Sequence, residues 1–231
     1  MNFLNDTVYW AIFISLGSYY LGNHLQQKTK VILFNPLLFS TLLTIGFIML
    51  FDVDYSTYYE RADFLYYLLT PATVSLAIPL YEQIHLLKKN LVAILTGIIS
   101  GVLACLSSIL LLATIFGWSH TLFVTILPKS ITAAMAMGVS EELGGIPSLT
   151  VPIVIMTGIT GNIIAEHICR LFRIQEPIAK GIAIGASSHA MGTAKAIEMG
   201  EIEGAMSGLA IAVSGVLTVL FATVFAKIYQ W

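Results

Sequence analysis

The sequence predicts an all-α, polytopic integral membrane protein of about seven transmembrane helices, some of them broken at proline or re-entrant. Three observations carry that prediction. Charged residues are 10% of the 231, against about 25% in soluble domains. Hydrophobic residues are 57%, and the mean hydropathy is +0.87. The third is the spacing of charge: charge-free runs occupy 7–27, 31–51, 64–81, 90–128, 143–165 and 204–226, and a spanning helix needs about 20 apolar residues. The same charge deficit excludes a disordered chain. The runs do not alternate apolar with polar residues as β-barrel strands do. A net charge of -2 gives no reason to expect nucleic-acid binding.

Taken in order, residues 8–22 read as the first span. Asp6 and the lack of a basic residue before it argue against a cleaved signal peptide. The second span, 31–51, carries Asn35-Pro36 early, read as a helix break. The stretch 55–67 holds five tyrosines and suits an aromatic belt at the membrane surface. The segment 64–81 carries Pro71 and Pro79, further breaks. The run 90–128 is too long for one helix and is divided by a Gly117-Trp118-Ser119-His120 turn. Pro128 then interrupts 121–142, where it removes a helix hydrogen bond. Gly144-Gly145-Ile146-Pro147 reads as a turn, with Glu141 and Glu142 as a charged helix end. The segment 177–197 is rich in Gly and Ala and contains only Lys180 and Lys195 as charges. The whole of 1–231 is expected to be a single transmembrane domain.

Loop charges set orientation. Lys28 and Lys30, Lys88 and Lys89, and Arg170, Arg173 and Lys180 belong in the cytoplasm, with the acidic 52–63 loop outside. That arrangement needs 121–142 to return to its own side. A short internal echo supports interrupted helices: Thr70-Pro71-Ala72-Thr73 and Leu127-Pro128-Lys129-Ser130 are each followed by a Thr-Gly-Ile. Paired, broken segments mark the sites of many transporters.

Two constellations could carry chemistry. Lys129 sits in a broken mid-membrane segment, where a lysine costs roughly 2.5–3.5 kcal/mol to insert. With Ser130 and Thr132 it offers a cation, hydroxyls and unpaired amides, which suit a carboxylate. The competing reading is a lysine that snorkels to the interface. The second is Gly185 to Lys195, which gathers Ser187, Ser188, His189 and Thr193 among small residues. These groups can hydrogen-bond a small solute, and His189 can carry a proton. Equally, they can satisfy one another within a Gly/Ala helix seam. Cys105 and Cys169 read as apolar fillers, and His24, His85 and His120 as solvated turn residues. Glu166 and Arg170 are spaced to pair along a helix. No nucleophile–base pair, phosphate loop or metal pattern emerges, so neither an enzyme nor a cofactor is expected.

At these motifs the sequence resembles the LrgB/CidB family of bacterial membrane proteins. The resemblance runs in order through Asn35-Pro36, Ala77-Ile78-Pro79-Leu80-Tyr81 and Leu127-Pro128-Lys129-Ser130-Ile131-Thr132. It continues through Glu142-Leu143-Gly144-Gly145, Ala179-Lys180-Gly181 and Ser188-His189-Ala190-Met191-Gly192-Thr193-Ala194, with Glu198 and Glu203-Gly204-Ala205 after them. It covers nearly the whole chain, and it looks closer to the CidB-like branch. Some relatives carry Gln where this chain has Lys129, so a role resting on that cation does not extend to all of them.

The resemblance implies two functions. One is an antiholin-like regulator of murein hydrolase activity and autolysis, working with a small holin-like partner of the LrgA/CidA type. The other is transport of small carboxylates, with pyruvate implied in bacteria and glycolate and glycerate in a related plastid transporter. The residue reading favours a carrier or channel for monocarboxylates in a bacterial plasma membrane, working as a homo-oligomer. In it Lys129 neutralises the solute; Ser130, Thr132, Ser187, Ser188 and Thr193 hydrogen-bond it; and His189 binds it or carries a proton. The alternative is the regulator with no transported substrate.

Overall fold

The structure, a computed structural model, describes residues 9–29, 34–68, 71, 74 and 77–229. These residues form helices and turns, with no strand among them. The chain divides into two compact units, Met1–Ser75 and Leu76–Trp231.

In the first unit, α1 (Tyr9–Thr29) packs against α2 (Pro36–Leu50), and α3 (Tyr55–Arg61) and α4 (Asp63–Tyr67) follow. The α1–α2 approach is close because Gly22 has no side chain. A Cβ there would stand 3.1 Å from both Phe39 Cβ and Pro36 Cα. Trp10 stacks on Phe47 with centroids 5.8 Å apart, and the Tyr58 hydroxyl lies 2.8 Å from Ser15 Oγ. Tyr55, Tyr59 and Tyr67 are exposed. Asn35-Pro36 starts a helix rather than breaking one. The Asn35 side chain accepts from the amides of Leu37 and Leu38, at 3.1 and 3.3 Å, and Pro36 occupies the first helical position. Proline is favoured there because the missing N–H has no intrahelical partner anyway. The proline echo at 70–73 lies mostly outside the described residues; only Pro71, in helical conformation and exposed, falls within them.

The second unit opens with two short helices, α5 (Ala77–Glu82) and α6 (Ile84–Lys89). The helix α5 runs through Pro79 to Glu82, so among the described residues that proline does not end it. Next comes α7 (Leu91–Phe116), 26 residues or about 39 Å long. Gly117, with φ 60, ends it in the left-handed conformation, so the expected turn is present. The 121–142 segment is split into α8 (His120–Ile126) and α9 (Ala133–Glu142). Between them lies an irregular stretch containing Pro128 and Lys129. Gly144, with φ 81, makes the turn into α10 (Pro147–Leu171).

The core of this unit is α11 (Pro177–Met199), which packs on α7, α10 and α12 (Glu201–Ile228). Small residues permit each approach. Gly181 and Gly185 face α12, where a Cβ would meet Met206 Cβ at 2.8 Å and Ser207 Cα at 2.8 Å. On α7, Gly97 and Gly101 face Ile182 and Ala186. α11 is not one continuous helix. His189 has φ 42 and ψ -143 and interrupts it, a conformation that costs of order 1–3 kcal/mol in a non-glycine residue.

Among the described residues, three helices are long and apolar enough to cross a membrane: α7, α10 and α12. Each is apolar on two sides. α7 buries Ile94, Ile98, Val102, Leu106 and Ile109, yet exposes Val92, Leu103, Leu111 and Ile115. α12 likewise exposes Val216, Leu220, Val224 and Ile228. Outer faces of this kind belong in lipid. The described residues fall short of the seven spans expected, for physical reasons. α2 is apolar but has 15 residues, the 121–142 segment is halved, and α11 is made polar by the side chains of its own break.

Candidate functional site

Two interrupted helices meet around Lys129. Between α8 and α9 the backbone turns tightly: the Lys129 amide donates to Ile126 O at 3.0 Å and the Ile131 amide to Pro128 O at 3.3 Å. Lys129 is half-buried, and its Nζ donates to Ser130 Oγ at 3.0 Å. Ser130 is buried, and its hydroxyl lies 3.2 Å from Cys105 Sγ on α7. Four ion pairs are formed among the described residues, and Lys129 is in none of them.

Lys129 borders two cavities, one on each side of the first half of α11. The larger, about 900 Å³, lies against α7 and is lined by Asn90, Ser100, Cys105, Ser108, Ser130, Glu176 and Ser187 among small residues. The smaller, about 570 Å³, lies against α10 and is lined by Thr157, Thr160, Gly161, Ser187 and Ser188 among apolar residues. Lys129 and Ser187 line both. In the smaller cavity, with a cation and no acid among its described lining residues, the hydroxyls and apolar walls are the furniture of a site for a small organic anion.

The structure sorts the remaining candidates. Ser187 Oγ lies 3.0 Å from Ser188 Oγ, so these hydroxyls stand together near Lys129. His189 and Thr193 are in the wall instead. The His189 ring uses Nε2 on Val154 O at 3.0 Å. Thr193 donates to His189 O at 3.0 Å or shares its proton with Ser207 Oγ at 2.7 Å, and it is fully buried. Both side chains are bonded within the protein beside the α11 break. Thr132 occupies the N-cap position of α9 without a side-chain cap and lines neither cavity.

Several residues were not legible as site components. Cys105 is a hydrogen-bond partner of Ser130 at the cavity, not an apolar filler. Asn162 reaches from α10 to donate to Met191 O at 2.8 Å, just beyond the α11 break. An amide inside the otherwise apolar 143–165 run was the available signal. Gly158 and Gly161 leave room for His189 and Ser188 to enter against α10. His120 is not simply solvated, since its Nε2 lies 3.1 Å from Ala226 O and ties α8 to α12. Away from the site, Glu166 and Arg170 pair at 2.9 Å, as their spacing predicts, and Lys195 joins Glu166 and Glu198 at 3.6 and 3.1 Å.

The LrgB-like family model matches residues 15–228, across the charged, glycine and proline motifs just placed. The chain belongs to the LrgB-like family. It is 36% identical over 221 residues to the antiholin-like protein LrgB of Bacillus subtilis (strain 168), covering 95% of this chain and 96% of that one. It is 35% identical over 219 residues to the uncharacterized protein YxaC of the same organism, covering 95% of each. No solved structure matches. With the double-sided apolar faces of α7, α10 and α12, LrgB-like membership identifies a membrane protein.

Proposed function

We propose that this LrgB-like protein moves a small monocarboxylate, such as pyruvate or glycolate, across a bacterial plasma membrane. The observation that carries the reading is Lys129: a cation outside every ion pair among the described residues, placed between two cavities at a helix break. A single positive charge matches a single carboxylate, and irregular backbone is tolerated at membrane depth where it lines a cavity. Lys129 neutralises the carboxylate, while Ser130, Ser187 and Ser188 hydrogen-bond it. His189 and Thr193 position the α11 break rather than touch the solute. The chain works as a multi-pass carrier or channel, with 121–142 returning to its own side, without covalent chemistry or a cofactor. A homo-oligomer and a small holin-like partner complete the assembly.

A second reading is favoured by the comparisons more directly than the first: the Bacillus subtilis relative is named antiholin-like. Under it the chain regulates murein hydrolase activity and autolysis through assembly with the holin-like partner and carries no solute. Uptake of labelled pyruvate by proteoliposomes separates the two. Saturable uptake that Lys129→Met abolishes is the expected result. Absence of uptake by folded protein, with and without the partner, would refute transport and leave the assembly reading.

A further inference from the structure

A third cavity, about 560 Å³, opens where α10 ends and α11 begins. Its charged lining is Arg170, Arg173, Lys180 and Lys195 against Glu166 and Glu198, and Lys180 has Glu203 as a further acidic partner, which leaves a surplus of one positive charge. It shares two lining residues, Cys169 and Ile174, with the smaller Lys129 cavity. The basic cavity and the smaller Lys129 cavity therefore adjoin at Cys169 and Ile174. Three of its four cations are already in ion pairs: Arg170 with Glu166, Lys180 with Glu203, and Lys195 with Glu166 and Glu198. Among the described residues, Arg173 is the one cation of the lining outside them.

Arg173 also occupies an unusual place. The end of α10 is a Schellman turn: the Ile174 amide donates to Cys169 O at 2.8 Å and the Arg173 amide to Arg170 O at 3.2 Å. The residue at the left-handed position of such a turn is most often glycine, and here it is Arg173, with φ 55. The backbone alone gives no reason for arginine. The geometry points to an electropositive antechamber that captures small organic anions through Arg173 and delivers them past Cys169 to Lys129. This rests on the transport reading and names the entrance of the same site. The acids of the lining are matched by Arg170 and Lys195, so Arg173 sets the sign of the field, and a cleft with a net charge raises the local concentration and arrival rate of opposite ions, by tenfold or more where the field is strong. The loop charges place this entrance on the cytoplasmic side.

The test needs no transport. In a Cys105→Ser background Cys169 is the only thiol in the chain. The full-length protein in liposomes is treated with an anionic sulfonate methanethiosulfonate or its cationic trimethylammonium counterpart, each rate normalised to a small free thiol. Cys169 is expected to react about tenfold faster with the anionic reagent, and the preference is expected to collapse in high salt. Arg173→Gly, which suits the left-handed backbone, is expected to cut the preference at least about threefold without lowering the unfolding temperature. In uptake assays it raises KM for pyruvate and leaves kcat near the parent value. Equal rates for the two reagents, or no reaction with either, would overturn the antechamber. So would a preference that Arg173→Gly leaves unchanged. Charge-selective labelling without any uptake would sink the transport reading and keep the anion-attracting cavity. Lys129-dependent uptake without charge-selective labelling would do the reverse.

Discussion

The contact between Gly158 on α10 and His189 in the α11 break makes a sharp prediction about sign. A Cβ added at Gly158 would stand 2.6 Å from His189 Cε1, 2.8 Å from its Nε2 and 2.8 Å from Met191 Sδ. The methionine end can move aside. The imidazole cannot, because its Nε2 is held by Val154 O at 3.0 Å, one turn earlier on α10. Gly158→Ala must therefore push the ring off that carbonyl. Overpacking costs about 1–3 kcal/mol, and the lost hydrogen bond about 0.5–1.5 kcal/mol. Alanine returns about 1 kcal/mol of helix propensity. The net expectation is a loss of about 2 kcal/mol. In a His189→Ala background the obstacle is gone and only the propensity gain remains, so the same substitution should stabilise by up to about 1 kcal/mol. Thermal unfolding of the four proteins of this double-mutant cycle in detergent reads both signs. A Gly158→Ala effect of the same sign and size in both backgrounds would refute the packing of His189 against α10 and, with it, the geometry of the break.

Two further expectations concern how the second unit holds its interrupted segments. Thr150→Val is nearly isosteric but removes a buried hydroxyl that bonds to Thr125 O at 3.0 Å or Ser140 Oγ at 2.8 Å. It should cost about 1–3 kcal/mol, and unfolding at the parent temperature would show that α8, α9 and α10 are not joined this way. Tyr229→Phe removes a hydroxyl lying 3.0 Å from Ala113 O and 2.5 Å from Trp118 O. It should cost about 1 kcal/mol and raise proteolysis at the 117–119 turn, while an unchanged digestion pattern would show that the turn is held by other contacts.

The breaks in this fold were partly legible because they depend on local chemistry. Gly117, Pro128 and Gly144 each need a backbone that a regular helix cannot supply, and each marks a helix end or an irregular stretch. Asn35-Pro36 shows the limit of that logic. Proline is excluded from helix interiors and welcomed at their starts, and position within the helix decides between them. The break at His189 was written nowhere in local propensity. Its neighbours Gly185 and Gly192 permit an interruption, but the conformation is held by partners on another helix, Val154 and the space at Gly158. Cys105 was misread for the same reason: only packing reveals that its sulfur meets Ser130. Types of side chain gathered in one short motif did not imply one site. Ser188 and His189 are adjacent in sequence, yet one lines a cavity and the other supports its wall.

Lys129 separates the two functional readings through stability as well as through uptake. At the membrane depth the transport reading gives it, its insertion costs roughly 2.5–3.5 kcal/mol, offset among the described residues by one hydrogen bond, to Ser130 at 3.0 Å, worth about 1.5–3 kcal/mol for a charged donor. Ser130 keeps Cys105 as a partner if the lysine is removed. Lys129→Met should therefore leave the unfolding temperature unchanged or raised, while abolishing solute uptake; Lys129→Arg should keep the charge and part of the activity. If the lysine instead serves assembly alone, its removal should destabilise the folded chain or weaken capture of the holin-like partner, with no effect on solute flux. A stable Lys129→Met protein that has lost uptake is a combination the assembly reading cannot produce, because a residue with no structural and no interfacial role would then be a cation kept in the membrane only for what passes it.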